Sequence, residues 1–116
     1  KNTIKALPDG NFEYQAVASV LSVMRAIGKP LSMTHPSKPN LSSSLWRTVW
    51  NHRDMVLFFD SATSPSIFWV PFSELDFSSG SKVKKLPMTG DKIYAGNAAG
   101  KFEPATPFKF APAKTK

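Results

Sequence analysis

The side chains that could perform acid–base or nucleophilic chemistry are few and scattered in this sequence. His35 lies in a connection rich in Pro and Ser, His52 lies in a short turn, and neither has a second ligand-type residue at metal-site spacing. No serine stands on a strand–turn–helix elbow, which a serine nucleophile paired with a histidine would need. Asp9, Asp60 and Asp76 fall in separate predicted elements, so no carboxylate pair for acid–base catalysis is indicated. We therefore predict no catalytic residue and no metal site within this chain.

Composition excludes further classes of site. The 116 residues contain no cysteine, which rules out disulfides, cysteine-ligated zinc and a cysteine nucleophile within them. The glycines form neither a GxGxxG nor a GxxxxGK motif, so no phosphate-binding loop and no cofactor are predicted. No apolar run approaches the roughly 18–20 residues that cross a bilayer, and we expect no membrane partner. The first residues, from Lys1 onward, lack the apolar centre of a signal peptide.

The net charge of +7 is concentrated in the last third of the chain. Residues 1–80 contain seven basic and six acidic residues, whereas residues 81–116 contain eight lysines and two acidic residues. A nucleic-acid surface usually combines arginine with exposed aromatic rings, but the three arginines (Arg25, Arg47 and Arg53) are scattered through the first half. We therefore expect a solvated lysine-rich tail and no nucleic-acid partner.

One domain is the expectation from the length, and the hydrophobic pattern predicts an α+β fold. Residues 12–27 carry apolar side chains at helical spacing, with Asn11 as the N-cap and with Gly28 and Pro30 as the stop. This apolar stripe consists of Val17, Val20, Leu21, Met24 and Ile27. The connection over residues 30–43 is long for a compact domain, so we expect it to line a site or a subunit contact.

Three strands are predicted at residues 44–50, 55–60 and 67–70, and the short turns between them indicate an antiparallel meander. The second and third runs are apolar on both sides of the pleat, so the sheet must be covered on both faces. The three tryptophans of these strands, Trp46, Trp50 and Trp69, are expected in the core rather than at a ligand platform.

The remaining third of the chain carries weaker signals. Residues 73–76 predict a helical turn, residues 83–86 predict a fourth strand, and the chain from Gly90 onward is predicted to be loop-like. Residues 101–116 are expected to form an extended tail. Its predicted anchors are the aromatic residues Phe102, Phe108 and Phe110.

Residues 41–77 resemble the C-terminal part of the choloylglycine hydrolase family, which comprises bile salt hydrolases and penicillin V acylases. Residues 41–50 are similar to its Thr/Ser-x-Trp strand, and residues 51–59 to the charged turn and aromatic strand that follow. Residues 67–77 resemble the strand ending in Asp-Leu-x-x-Leu-Asp-Phe, with Pro71-Phe72 in place of Asp-Leu.

The flanking segments resemble the same family less specifically. The predicted helix followed by Pro30-Leu31 is similar to the family helix ahead of its Pro-x-Gly segment, and residues 102–108 are like the tail of Gram-negative members. Leu7-Pro8-Asp9-Gly10 resembles the family motif Leu-Pro-Gly-Asp with its last two residues exchanged. The family continues that motif with Ser-x-Ser-Arg-Phe-Val-Arg-Ala, but here Asn11 follows directly. Either this segment has been lost or two separate pieces have been joined between Gly10 and Asn11, and we favour the second.

The resemblance implies that residues 1–116 are the C-terminal part of a single N-terminal-nucleophile hydrolase domain, a portion of an αββα four-layer sandwich. It implies hydrolysis of a linear, non-peptide amide by an N-terminal cysteine whose own α-amine is the base. None of the family's catalytic Cys, Asp, Asn or Arg positions is covered by this chain, so no catalytic residue can be assigned to it. We expect the segment alone to be inactive.

The implied partners are the rest of the same hydrolase polypeptide, a small amide substrate and further copies in a homo-oligomer, a tetramer or a dimer. Conjugated bile salts, penicillin V and acyl-homoserine lactones are not distinguished as substrates. A bacterial protein of the periplasm is expected, with the cytoplasm as the alternative. The competing hypotheses are a β-rich binding module whose lysine-rich tail binds acidic partners, and a non-catalytic interaction domain descended from the hydrolase fold.

Overall fold

The structure, a computed structural model, describes residues 13–32, 35–38 and 41–113. Its one α-helix among these, α1 (Glu13–Ile27), confirms the predicted amphipathic helix, and Val17 and Leu21 of its apolar stripe are buried. Glu13 lies in the first turn and Arg25 in the last turn, where each charge interacts favourably with the helix dipole. The predicted N-cap Asn11 and the junction between Gly10 and Asn11 lie outside the described residues.

The three predicted strands form the expected antiparallel meander: β1 (Trp46–Asn51), β2 (Val56–Ser61) and β3 (Ile67–Pro71). Asn51 pairs with Val56 across the first turn, and Asp60 pairs with Ile67 across the second. A 3₁₀ turn at Phe72–Glu74 follows β3, one residue earlier than the predicted helical turn.

Residues 84–104 contain more secondary structure than the sequence predicts. A short strand, β4 (Lys84–Lys85), lies within the predicted fourth strand. The prediction of loop structure from Gly90 onward is wrong, because β5 (Gly96–Asn97) pairs in parallel with β3 and β6 (Glu103–Pro104) pairs with β4. A 3₁₀ turn, Ala99–Lys101, connects β5 and β6. Two-residue strands carry no hydrophobic period, so the pattern could not indicate them.

The four-stranded sheet has the order β1-β2-β3-β5 and two different faces. On the first, which we call the helix face, α1 covers β2. Val17 and Leu21 pack there against Val56 and Phe58. Val49, Ile67 and Trp69 surround this cluster.

On the opposite side, which we call the outer face, the chain after β3 folds back over β3. Phe68, Val70 and Ala98 are buried there. Side chains from residues 72–102 complete the cover, namely Phe72, Leu75, Leu86, Tyr94 and Phe102. This chain therefore covers the β3 half of the outer face itself and leaves the β1 half open.

Two expectations about aromatic residues need correction. Trp69 packs against Phe58, but Trp46 is 60% exposed and Trp50 is also exposed, because both lie on the open half of the outer face. Phe102 anchors the tail as predicted. Phe108 and Phe110 do not, because they are 79% and 87% exposed and their rings contact each other edge to face.

Candidate functional site

The two histidines lie apart from each other and from any nucleophile–base arrangement among the described residues. His35 is exposed, and its Nδ1 lies 2.9 Å from the Ser37 Oγ in a local turn two residues long. His52 is at the tip of the β1–β2 hairpin, where its ring stacks on Trp50 with centroids 6.4 Å apart. Among these residues no carboxylate is hydrogen-bonded to either ring to orient it as a base.

Asp60 and Asp76, two of the three aspartates considered for acid–base catalysis, have different surroundings. Asp9 lies outside the described residues. Asp76 accepts hydrogen bonds from the Ser78 Oγ at 2.6 Å and the Ser78 backbone N–H at 2.9 Å, and these bonds lower the pKa of its carboxyl group. Asp60 is the buried one, at 6% exposure on the central strand. Neither Asp60 nor Asp76 is brought together with a second carboxylate among the described residues.

Asp60 is instead the centre of an ion cluster between helix and sheet. The Nε–H of Arg25, in the last turn of α1, donates to Asp60 Oδ2 at 2.9 Å, and this bond raises the pKa of the Arg25 guanidinium. Arg47 of β1 approaches the same oxygen, with its Nη1 at 3.5 Å. The carboxylate thereby ties α1, β1 and β2 together, and a carboxylate held by two cations is suited to a structural role rather than to proton transfer.

Gly28 makes room for this cluster. A Cβ atom at position 28 would overlap Nη2 of the Arg47 guanidinium and lie 3.1 Å from its Cζ, so this group would have to shift. From the sequence, Gly28 was predicted only as a helix stop and the arginines only as scattered. The residue from which this cluster could have been predicted is Asp60. It lies on the same inward-facing side of β2 as Val56 and Phe58, and a buried carboxylate there needs a cation.

A second polar junction fixes the other end of the helix. The side-chain amide of Asn51 donates to Glu13 Oε1 at 3.0 Å and to Asp54 Oδ2 at 2.7 Å. Its Oδ1 accepts the backbone N–H groups of Arg53 and Asp54. The hairpin turn and the first turn of α1 are thus held in one arrangement, again without a group poised for catalysis.

A small cleft lies between the β2–β3 turn and residues 88–94, with a volume of about 270 Å³. Four hydroxyl groups line it, from Ser61, Thr63, Ser64 and Ser66, with Phe68 and Tyr94 opposite. Three of these hydroxyls have local partners: those of Ser61 and Thr63 bond to each other at 2.9 Å, and that of Ser64 donates to the Ser66 carbonyl oxygen. Within the described part of the chain, no three His, Cys, Asp or Glu side chains are grouped to hold a metal ion, and no helix is long and apolar enough to cross a membrane.

The open half of the outer face is an exposed apolar surface. Trp46 and Trp50 stand on it, and the Trp50 ring meets the edge of Phe72 at a centroid distance of 5.1 Å. Phe77 continues the same aromatic row and is exposed. A contiguous exposed aromatic row of this kind marks a contact surface rather than a solvated one.

Two comparisons with known proteins found relatives that share the sequence pattern and the fold of this chain. The chain is 40% identical over 98 residues to a penicillin V acylase of Pectobacterium atrosepticum, an overlap of 82% of this chain and 26% of that protein. The solved structure of penicillin V acylase from Agrobacterium tumefaciens superposes with a TM-score of 0.83 at 38% identity. That superposition covers 94% of this chain and 35% of the acylase. No protein-family model matches the sequence.

The chain thus spans about a quarter of the length of its curated relative and about a third of the solved one. A match in sequence and fold over most of the chain agrees with the resemblance that the sequence showed. The partial overlap fits the predicted position in the C-terminal part of such a protein. These residues are therefore similar, as a segment, to penicillin V acylases, which confirms their resemblance to the choloylglycine hydrolase family.

Proposed function

We propose that this chain is the C-terminal part of an enzyme that hydrolyses linear, non-peptide amide bonds, with penicillin V or conjugated bile salts as substrates. The observation that carries the proposal is the joint match in sequence and fold to two proteins named penicillin V acylase. The chain itself contributes a sheet, one covering helix and a tail, because its described residues contain no nucleophile with a base.

The chemistry is assigned to residues outside these 116. A cysteine at the mature N-terminus attacks the amide carbonyl, and its own α-amine accepts the thiol proton. A free α-amine has a pKa near 8, which suits a base working close to neutral pH. Hydrogen-bond donors of the same polypeptide stabilise the oxyanion that forms. The acyl group passes to the sulfur, the amine leaves with a proton, and water then releases the acid.

The two faces of the sheet support placing this segment in an αββα sandwich. α1 covers the helix face in the manner of an outer helical layer. The open half of the outer face, with Trp46 and Trp50, is where a second sheet of the same polypeptide would stack. In this proposal the exposed aromatic row is an internal surface of the complete enzyme. A homo-oligomeric assembly and a periplasmic location remain predictions from the resemblance.

The proposal is tested on the natural polypeptide, by mass and by activity. We expect a species near 35 kDa, or a cysteine-containing partner chain that co-purifies, and hydrolysis of penicillin V or of glycine- and taurine-conjugated bile salts that thiol alkylation abolishes. Residues 1–116 alone are the control and are expected to show no turnover. A lone chain of 12.8 kDa, or turnover by residues 1–116 that survives alkylation, would overturn the proposal.

The alternative, a binding module for acidic partners, is favoured by the exposed lysines of β4 and the charge of residues 81–116. A lone 12.8 kDa monomer that unfolds cooperatively would favour the binding module. Replacing Lys82, Lys84 and Lys85 by glutamine tests instead whether these charges act on the substrate of the enzyme. If the lysines form a solvated surface, amide hydrolysis stays within a few-fold of the wild type. A loss beyond tenfold in kcat/KM that disappears at high salt would show that these charges steer an anionic substrate, since screening acts beyond about 8–10 Å at physiological salt.

A further inference from the structure

Within residues 13–32, 35–38 and 41–113, β1 is an edge strand of the sheet and no strand pairs with its free side. The backbone N–H of Ala62 donates to the Leu45 carbonyl at 2.9 Å, which identifies Leu45 and Ala62 as a hydrogen-bonded pair. Because such pairs alternate along an antiparallel ladder, Arg47, Val49 and Asn51 also direct their backbone groups towards β2. The intervening residues, Trp46, Thr48 and Trp50, direct theirs away from the sheet, and within the described residues these groups have no backbone partner.

Natural edge strands usually carry features that prevent further pairing, such as proline, lysine, a bulge or a covering loop. β1 contains no proline and no lysine, and its one charged side chain, Arg47, is paired with Asp60 of the neighbouring strand. Its six residues pair in continuous register with β2, and two of its side chains are exposed tryptophans. An edge of this length and composition is a template for another strand.

The helix reaches past this edge. A groove of about 320 Å³ lies beside β1 on the helix face, roofed by Ala16 and Val20 of α1 and floored by Val49. Trp50, Asn51 and His52 close its end. A strand beside β1 would place alternate side chains into this groove and the others beside Trp46 and Trp50 on the outer face.

We propose that β1 is an internal strand of a wider sheet, and that its free edge pairs with a strand from the same polypeptide outside the described residues. The partner is an extended segment of about five residues. Its side chains towards the outer face are apolar, because Trp46 and Trp50 are exposed there. Its side chains towards the groove are mixed, because Glu13 and Arg53 line the groove together with Val20 and Val49. Its source follows from length: the chain spans 26% of its curated relative and 35% of its solved one, so most of such a polypeptide lies elsewhere. This inference rests on the proposed function only in taking the chain as part of a longer protein.

The direct measurement is amide hydrogen exchange on the complete polypeptide. If a strand is added, the Trp46, Thr48 and Trp50 amides exchange at least about 100-fold more slowly than unstructured amides, as amides within a paired ladder do. If the edge is free, these three amides exchange fast while the Val49 amide, which faces β2, stays protected. Fast exchange at all three positions would overturn the proposal, whether or not the polypeptide hydrolyses amides.

Proline substitution gives a matched pair of variants. Proline is tolerated on an edge strand where the N–H faces solvent and is not tolerated where the N–H bonds to a neighbour. Val49→Pro is expected to prevent folding in either case. Thr48→Pro is expected to lower the melting temperature by more than about 5 °C if the edge is paired, and a Thr48→Pro variant as stable as the wild type would contradict the added strand.

The remaining occupant to distinguish is β1 of a second copy. Light scattering gives the mass of the polypeptide over a range of concentrations, and exchange is measured in the same samples. Protection of Trp46, Thr48 and Trp50 that persists in the monomer supports a strand from the same chain. Protection that is lost on dilution, as copies separate, would assign the edge to a subunit interface and overturn the proposal.

Discussion

The two faces of the central sheet are built from similar residues but are completed in different ways. The helix face is closed by α1, which is adjacent in sequence to the strands it covers and fixed to them by the Asp60 cluster and by Asn51. The outer face is closed by the following tail only over β3, and Trp46 and Trp50 are left exposed. The difference shows which part of the core the described residues complete by themselves, and in the proposed enzyme the rest of the polypeptide covers the other part.

Truncation tests the helix face first, because its core over β2 is formed within this chain. Phe58 is 2% exposed beneath α1, and Phe58→Ala is expected to lower the free energy of unfolding of the complete polypeptide by about 3–5 kcal/mol. Denaturant unfolding measures the loss. Phe110→Ala removes an equal side chain from an 87% exposed position, and this control should change stability by less than about 0.5 kcal/mol.

Trp46→Ala tests the outer face. If a second sheet stacks on it in the complete polypeptide, the substitution should cost about 3–5 kcal/mol, although Trp46 is 60% exposed in this segment. Thermal or denaturant unfolding of the complete polypeptide gives the value. A change below about 0.5 kcal/mol would mean that the ring stays in solvent, and the sandwich placement of β1 would then be wrong.

The hairpin that joins β1 and β2 contains a residue with a strained backbone, and substitutions there should change stability less than those in the core. Met55 has a φ of 53°, in the left-handed region that glycine adopts without a steric cost. Met55→Gly is expected to leave stability unchanged or raise it by up to about 1 kcal/mol, whereas the β-branched variant Met55→Val should lower it by about 1–2 kcal/mol. Equal stabilities of the two variants, measured by denaturant unfolding, would show that the backbone at this position is not strained.

The smallest expected effect is a pH dependence at the edge of the outer face. Hydrogen bonds from Ser78 lower the pKa of Asp76 below its ordinary value near 3.8, so their stabilisation is present above that value and is lost as the pH falls through the lowered pKa. Asp76→Asn should therefore melt slightly below the wild type near neutral pH and together with it in strong acid. Asp91→Asn, at another exposed loop carboxylate, is the control, and a gap between Asp76→Asn and wild type that widens in acid would contradict this assignment.

Elements governed by local sequence were predictable. α1 and the three long strands follow from periods of 3.6 and two residues, and their turns follow from Asn, Asp, Ser and Pro. The family was recognisable because residues 41–77 carry its strand and turn motifs, and the comparisons confirm it. The absence of a cysteine nucleophile from these 116 residues also follows from composition alone.

Contacts between distant residues were decided only by the tertiary structure. The sequence separates Arg25, Arg47 and Asp60 by up to 35 positions, and only the packing of α1 across β1 and β2 brings their charges together. β5 and β6 are two residues long and form by pairing with the free edges of β3 and β4. No hydrophobic period in the sequence could therefore predict them. The exposure of Trp46 and Phe108 depends on which surfaces other segments cover. A hydrophobic pattern indicates that a side chain should be buried, but the element that buries it is determined by the arrangement of the whole chain.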